Sequence, residues 1–175
     1  TSNDGADVLR YAIVRYSGAN HNYGAGTANA GVALDSASPT IQNTVIEWGN
    51  LYGIQSLNSS APVLESNTIN DNRGTGLWLS AASSPAVNNN AFLRNGNHAV
   101  YMGGSSAATF SGNTASGNKI NGVGVLGAIN TDVTWGTNLV YVLDGAVSLN
   151  LNTTLNIDPG AVIKFNPASK LDVLG

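Results

Sequence analysis

Carboxylates are the side chains of this sequence that could catalyse hydrolysis, and they are few. The chain of 175 residues has 10 Asp+Glu, 7 Lys+Arg, 2 His and no Cys. Glycoside hydrolysis needs two carboxylates roughly 5 to 9.5 Å apart, one of which donates a proton. Glu47 and Asp71 come nearest to such a pair, but adjacent positions on a strand point to opposite faces, which separates the two carboxylates unless a turn intervenes. The sequence therefore predicts that this protein is not an enzyme.

The residues whose side chains could bind a metal ion also lack the spacing of a metal site. His21 and His98 lie in separate repeats, so a zinc site is not expected. The run from Asp4 to Asp7 and the run from Asn70 to Asn72 offer hard oxygen ligands, but neither has the spacing of a calcium loop. We interpret them as surface turns and expect no metal and no cofactor.

Aromatic residues are the stronger candidates for binding. Trp78 and Tyr101 share one column of the repeat described below, between two apolar columns, so alternation predicts that both face outward. Tyr16 and Trp48 form a second pair of this kind. Exposed aromatic rings beside amide and hydroxyl groups suit a sugar ring, so these four residues are candidate contacts for a glycan or a partner. They could equally shield the edge of the barrel or pack under a loop.

A repeat of 23 residues must position these side chains. Pro39, Pro62 and Pro85 are spaced 23 residues apart, and the next step is Ala108. Aligning the copies brings apolar residues into columns, of which one contains Ile54, Leu77, Val100 and Val123. A fixed period in this range indicates a solenoid, in which each coil buries its apolar edge against its neighbours.

The composition of the columns predicts an all-β solenoid. Apolar residues alternate with polar ones in short runs, and Asn, Gly and Ser lie between the runs. We therefore expect three short strands in each coil and six to seven coils. The leucine and asparagine consensus of leucine-rich repeats is absent, and so is the hexapeptide rhythm of a left-handed β-helix.

Asparagines form columns of their own. Neighbouring coils of a β-solenoid lie roughly 4.8 Å apart, at which distance stacked amides can hydrogen bond to one another. We interpret these columns as turns and internal ladders rather than as a binding surface. The predicted ladder residues are Asn67, Asn90 and Asn113 in one column and Asn72, Asn95 and Asn118 in the other.

Two departures from the repeat suggest how the chain is organised. Residues 1–130 are predicted to form the β-helical coils, with an insertion at about 19–28 that contains His21 and Tyr23 as candidate loop contacts. Residues 131–175 have strand-like runs about eight residues apart and are predicted to form a tighter β-helical continuation. Such a stack needs a cap or a partner at each open end.

Charge and composition narrow the choice of partners. The net charge is −3 and the pI about 5.0, without a basic stripe, so no nucleic-acid partner is expected. No run of 18 apolar residues and no charged-then-apolar leader is present, so we expect neither membrane insertion nor a retained signal peptide.

The repeat resembles a known family. The unit from Pro62 to Leu77 is similar to the P-x-I-x-x-N-x-I-x-x-N-x-x-x-G-I repeat of right-handed parallel β-helix proteins. The segment from Trp135 to Phe165, followed by Leu171–Gly175, resembles a stretch of large secreted bacterial β-helix proteins that opens a further β-helical block. The resemblance implies one module of an extracellular or cell-surface repeat protein. It does not fix the function, since this architecture serves lyases, hydrolases, epimerases and adhesins.

We therefore expect a non-catalytic structural or adhesin-like module. Its partners would be copies of itself or neighbouring β-helix modules, stacked end to end, with glycans as further candidate ligands. A head-to-tail contact that does not close would produce a filament. The alternative function is that of a carbohydrate-binding or polysaccharide-degrading β-helix protein.

Overall fold

A computed structural model of the protein describes residues 7–17, 21–23 and 26–174, which form 22 strands and no helix. In chain order the strands are β1 (Val8–Arg10), β2 (Ile13–Arg15), β3 (His21–Tyr23), β4 (Gly26–Ala28), β5 (Ala30–Asp35), β6 (Thr40–Gln42), β7 (Val45–Glu47), β8 (Tyr52–Leu57), β9 (Val63–Glu65), β10 (Thr68–Asn70), β11 (Leu77–Leu79), β12 (Ala86–Asn88), β13 (Ala91–Leu93), β14 (His98–Gly103), β15 (Thr109–Ser111), β16 (Thr114–Ser116), β17 (Ile120–Ile129), β18 (Val133–Trp135), β19 (Val140–Leu149), β20 (Leu155–Ile157), β21 (Ile163–Phe165) and β22 (Lys170–Val173). The described residues therefore contain no helix that could span a membrane.

Three parallel sheets wrap around one axis. The first sheet has the order β1-β6-β9-β12-β15, the second β2-β7-β10-β13-β16, and the third β5-β8-β11-β14-β17-β19-β21, with β22 also paired to β19. Each of the first five coils contributes one strand to each sheet. Ile54, Leu77, Val100 and Val123 are register partners in successive coils and are fully buried. The predicted fold, a β-solenoid of about six coils with three short strands per coil, is confirmed.

Single residues in the left-handed conformation turn the chain at the first two corners of each coil. The first corner, between the first and second sheets, has Tyr11, Asn43, Ser66, Asn89 and Gly112 at φ of 50° to 64°. The second corner, after the second sheet, has Tyr16, Trp48, Asp71, Arg94 and Gly117 at φ of 52° to 69°. A left-handed residue between two extended segments reverses the alternation of side chains. The residue that follows it in the middle coils is a ladder asparagine.

The insertion in the first coil forms an antiparallel hairpin. Strands β3 and β4 pair through His21 with Ala28, Asn22 with Thr27 and Tyr23 with Gly26. The side chains of the candidate loop residues His21 and Tyr23 lie outside the described part of the structure. Their predicted role as contacts therefore stays a prediction.

The architecture changes after residue 130. The first two sheets end with β15 and β16, while β18 pairs with β20, and the long strand β19 pairs with both β21 and β22. Trp135 is fully buried and stacks on Tyr141, with ring centroids 4.7 Å apart. The stacked pair fills the end of the tube where the regular columns stop.

The last coil exposes its core-facing side chains. Ile157, Phe165 and Val173 are 46%, 55% and 73% exposed, although Phe165 is the register partner of the fully buried Leu143. No described strand lies beneath them. This end of the solenoid therefore presents an apolar surface.

Candidate functional site

The candidate glycan-contact residues Tyr16 and Trp48 lie together at the second corner. Both are left-handed, with φ of 57°, and their exposed fractions are 76% and 53%. They line a cavity of about 500 Å³ together with Ser17, Gly49, Asn50, Asp71 and Arg73. The left-handed conformation explains the exposure, because it directs these side chains away from the tube instead of along a strand face. We call this cavity the corner groove.

Glu47 and Asp71 meet beside the corner groove. The Nδ2 atom of Asn70 lies 3.2 Å from Oε2 of Glu47 and donates to Oδ2 of Asp71 at 2.6 Å. A turn intervenes between them, because Asp71 has a φ of 53° and its side chain turns back toward Asn70, so alternation does not separate the two carboxylates. Two carboxylates in adjacent coils thus share one amide donor.

Two arginines neutralise this carboxylate pair. Arg94 donates to both carboxylate oxygens of Asp71, at 2.8 and 2.7 Å, and Arg15 lies 2.6 Å from Glu47. Each ion pair joins residues of adjacent coils. The hydrogen bonds from Arg94 lower the pKa of Asp71, more than its slight burial raises it. Asp71 is therefore ionised at neutral pH and cannot supply the proton that glycoside hydrolysis requires.

Trp78 and Tyr101 belong to a stack of three aromatic rings on the outer face of the third sheet. The ring centroids are 4.4 Å apart for Trp78 and Tyr101, and 4.8 Å apart for Trp78 and Tyr52. These distances match the spacing of the coils. Both faces of Trp78 are covered by tyrosine rings, so a sugar ring could reach only its edge. The stack is half-buried, and burial raises the pKa of both tyrosines.

A buried histidine extends this stack toward later coils. His98 is 3% exposed and packs edge-on against Tyr101, with ring centroids 5.3 Å apart. Its Nε2 lies 3.1 Å from Oδ2 of Asp144, although the ring is not oriented for an aligned hydrogen bond. Burial lowers the pKa of His98, and the Asp144 carboxylate opposes that effect.

A β-bulge places Asp144 beside His98. Val125 pairs with Leu143 and Gly127 with Val147, so β19 has three residues where β17 has one. A bulge of this kind redirects a side chain. Tyr52 and Asp144 were not identified from the sequence, because Tyr52 lies outside the aromatic column and Asp144 lies beyond the regular repeat.

The asparagine columns form two internal ladders. In the first ladder, the Nδ2 of Asn67 donates to Oδ1 of Asn90 and that of Asn90 to Oδ1 of Asn113, at 2.9 and 3.1 Å. The second ladder runs in the same way from Asn72 through Asn95 to Asn118. Each of these six side chains is buried and also donates to a main-chain carbonyl of the preceding coil.

Two further asparagines end the ladders. Asn138 accepts from Asn113 at 2.8 Å, and Asn121 accepts from Asn118 at 2.9 Å. Neither follows the 23-residue period: Asn138 is 25 residues and Asn121 only three residues beyond its partner. Sequence reasoning missed both for this reason. Among residues 7–17, 21–23 and 26–174, no group of three or more metal-ligating side chains is found.

Comparison with known proteins identifies the family. Residues 2–140 match the family described as right handed beta helix region, which covers well over half of the chain. The chain therefore belongs to the right-handed β-helix family. No curated protein and no solved structure was found to match it.

Proposed function

We propose that this chain is a non-catalytic structural module whose last coil packs end to end against a further β-helical coil, from a second copy or from a neighbouring β-helix module. The supporting observation is the apolar surface formed by Ile157, Phe165 and Val173. These side chains continue the inner columns of the tube, so a further coil in register would bury them as the preceding coils bury theirs. At the opposite end, Leu9 and Val14 of the first coil continue the inner columns, as register partners of the buried Ile41 and Ile46, and are only partly buried.

Such a contact joins unlike ends and does not close on itself, so it would generate a filament. The setting we propose is extracellular or at the cell surface, as in the large secreted proteins that the sequence resembles. The ion pair of Asp71 with Arg94 beside the corner groove supports a role without catalysis, because it lowers the pKa of Asp71 and leaves this carboxylate unsuited to act as a general acid.

Sedimentation velocity over a wide concentration range tests the contact. We expect the chain to associate as its concentration rises, and Phe165→Glu to abolish the association by placing a charge in the contact. Val162→Glu is the matched control, because Val162 is similarly exposed but lies outside the inner columns. If the unmodified chain stays monomeric at every concentration, the proposed contact between copies is refuted.

The corner groove supports a second candidate function, the binding of a neutral glycan. Tyr16 and Trp48 offer ring faces that are free of stacking partners in the described structure, unlike Trp78. Arg73 and Asp71 line the same groove and can hydrogen bond to hydroxyl groups. No comparable observation favours polysaccharide degradation, for which an assay of reducing or unsaturated products would be the test.

A glycan array tests this second candidate. We expect Trp48→Ala to lose any glycan bound by the unmodified chain, and Tyr11→Ala to keep it. Tyr11 is a fair control because it is 76% exposed and left-handed, as Tyr16 is, but lies at the first corner. Equal binding by Trp48→Ala, Tyr16→Ala and the unmodified chain would exclude the corner groove. Trp78→Ala and Tyr101→Ala test the aromatic stack in the same array.

A further inference from the structure

A second cavity, of about 380 Å³, lies on the outer face of the third sheet, near its last strands. We call it the lysine groove, because two lysines from different coils border it. Lys119 comes from the corner that precedes β17, and Lys164 from the middle of β21. Asn121 and Asn166 also line it, and its apolar side includes Val140 and Val142. The groove is separate from the corner groove, with which it shares no residue.

The lysines of this groove have no carboxylate partner in the described part of the chain. Three other basic residues each lie within 2.7 Å of a carboxylate: Arg15 at Glu47, Arg94 at Asp71 and Lys170 at Asp172. Arg10 and Arg73 also form no ion pair in the described structure, but Lys119 and Lys164 line one cavity together. They create a local positive potential that attracts anions.

Asp144 is bonded to the groove residue Asn166, but it does not pair with either lysine. It accepts a hydrogen bond from Asn166 through Oδ1, and its Oδ2 lies 3.1 Å from Nε2 of His98. Both ammonium groups therefore remain available to an anionic group of a ligand.

Asn121 adds a neutral donor to the same groove. Its Oδ1 accepts from the backbone nitrogen and from Nδ2 of Asn118, both at 2.9 Å. The ladder therefore uses the oxygen of this amide and leaves its Nδ2 as a donor. Unlike the buried ladder residues, Asn121 is exposed and lines the cavity.

We propose that the lysine groove binds a singly charged oxyanion group, a carboxylate or a sulfate ester, carried by a ligand with an apolar flank. Lys119 and Lys164 supply the charge and Asn121 a hydrogen bond, while Val140 and Val142 contact the apolar flank. Ammonium groups hold an oxyanion as point charges rather than in a fixed two-pronged geometry, so both oxyanions fit the site.

Titration of the isotope-labelled full chain, followed by NMR chemical shifts, tests the proposal. The probes are glucuronate, glucose 6-sulfate and glucose, which share one sugar ring and differ in charge. We expect glucuronate, glucose 6-sulfate or both to shift the amide signals of Lys119, Asn121 and Lys164, and glucose to leave them unchanged. A response to only one acidic sugar identifies the oxyanion. A response to neither, or an equal response to glucose, overturns the proposal.

Charge-removing variants locate the site. We expect the Lys119→Met/Lys164→Met double variant to lose at least tenfold in affinity, and Lys170→Met to change it less than twofold. Raising the salt to 1 M should weaken binding in the unmodified chain, because surface charges are screened. An equal loss of affinity in Lys170→Met would mean general attraction to surface charge, and this would also overturn the proposal. Because all three lysines are exposed, unfolding curves should be unchanged.

Discussion

Replacing Asn90 by alanine tests how much the asparagine ladders contribute to stability. Asn90 is 1% exposed. Its Oδ1 accepts from the backbone nitrogen and from Nδ2 of Asn67, both at 2.9 Å. Its Nδ2 donates to the Leu64 carbonyl at 2.8 Å and to Oδ1 of Asn113 at 3.1 Å. One side chain thus links three coils.

The cost of this change follows from the groups it leaves unpaired. The backbone N–H of Asn67 loses its acceptor in the interior, which costs about 1–3 kcal/mol, and each further lost hydrogen bond costs about 0.5–1.5 kcal/mol. Nδ2 of Asn67 still donates to the Ile41 carbonyl, and Oδ1 of Asn113 still accepts from the backbone N–H of residue 90. We therefore expect a loss of about 3 kcal/mol in the free energy of unfolding. In a chain of this length, that lowers Tm by roughly 6–12 °C.

Thermal and urea unfolding, followed by circular dichroism, measure the effect against Asn156→Ala. Asn156 is exposed on β20 and makes no side-chain hydrogen bond within the described structure, so the control removes the same atoms from the surface. It should change stability by no more than about 0.5 kcal/mol. If Asn90→Ala is as stable as Asn156→Ala, the ladder contributes nothing and the reasoning is refuted.

Three further predictions concern pH and backbone strain. Burial lowers the pKa of His98 in the folded state, so the unfolded state takes up its proton at a higher pH than the folded state does. The free energy of unfolding should therefore fall as the pH drops below about 6.5. His98→Gln should flatten the pH profile of unfolding in this window, and an unchanged slope would contradict the assignment. Arg94 lowers the pKa of Asp71 in the folded state. The stability that ionised Asp71 contributes is therefore present above about pH 4 and is lost as the pH falls through the lowered pKa. Asp71→Asn should lose less stability on acidification between pH 5 and 2 than the unmodified chain. Ala82 is left-handed, with φ of 63°, so Ala82→Gly should raise stability by about 0.5–1 kcal/mol, whereas Ala86→Gly within β12 should lower it by a similar amount in the same urea titration.

The 23-residue period predicted the tube because every coil repeats the same local pattern. Column alignment placed Ile54, Leu77, Val100 and Val123 in one line, and parallel pairing at this period requires that register. The same alignment placed Asp71 over Arg94. Contacts between equivalent positions of neighbouring coils are thus accessible to sequence reasoning.

Contacts that depend on backbone conformation or on changed spacing were not accessible. Alternation along a strand separated Glu47 from Asp71, because it cannot show that Asp71 is left-handed. His98 and Asp144 meet across two coils through a β-bulge, in which three residues of β19 lie opposite one of β17, and such a bulge leaves no periodic signal. Asn121 ends the second ladder from only three residues beyond Asn118, which a column alignment cannot detect.

These departures from the repeat are also where groups remain for binding. Within the regular coils, a polar group hydrogen bonds to its counterpart in the next coil, as Asn90 does to Asn113. Where the pattern changes, that counterpart is missing: Nδ2 of Asn121 has no next rung, and Lys119 forms no ion pair with a neighbouring coil. The lysine groove accordingly lies at the transition beyond β17, whereas the amides of the middle coils are engaged within the buried ladders.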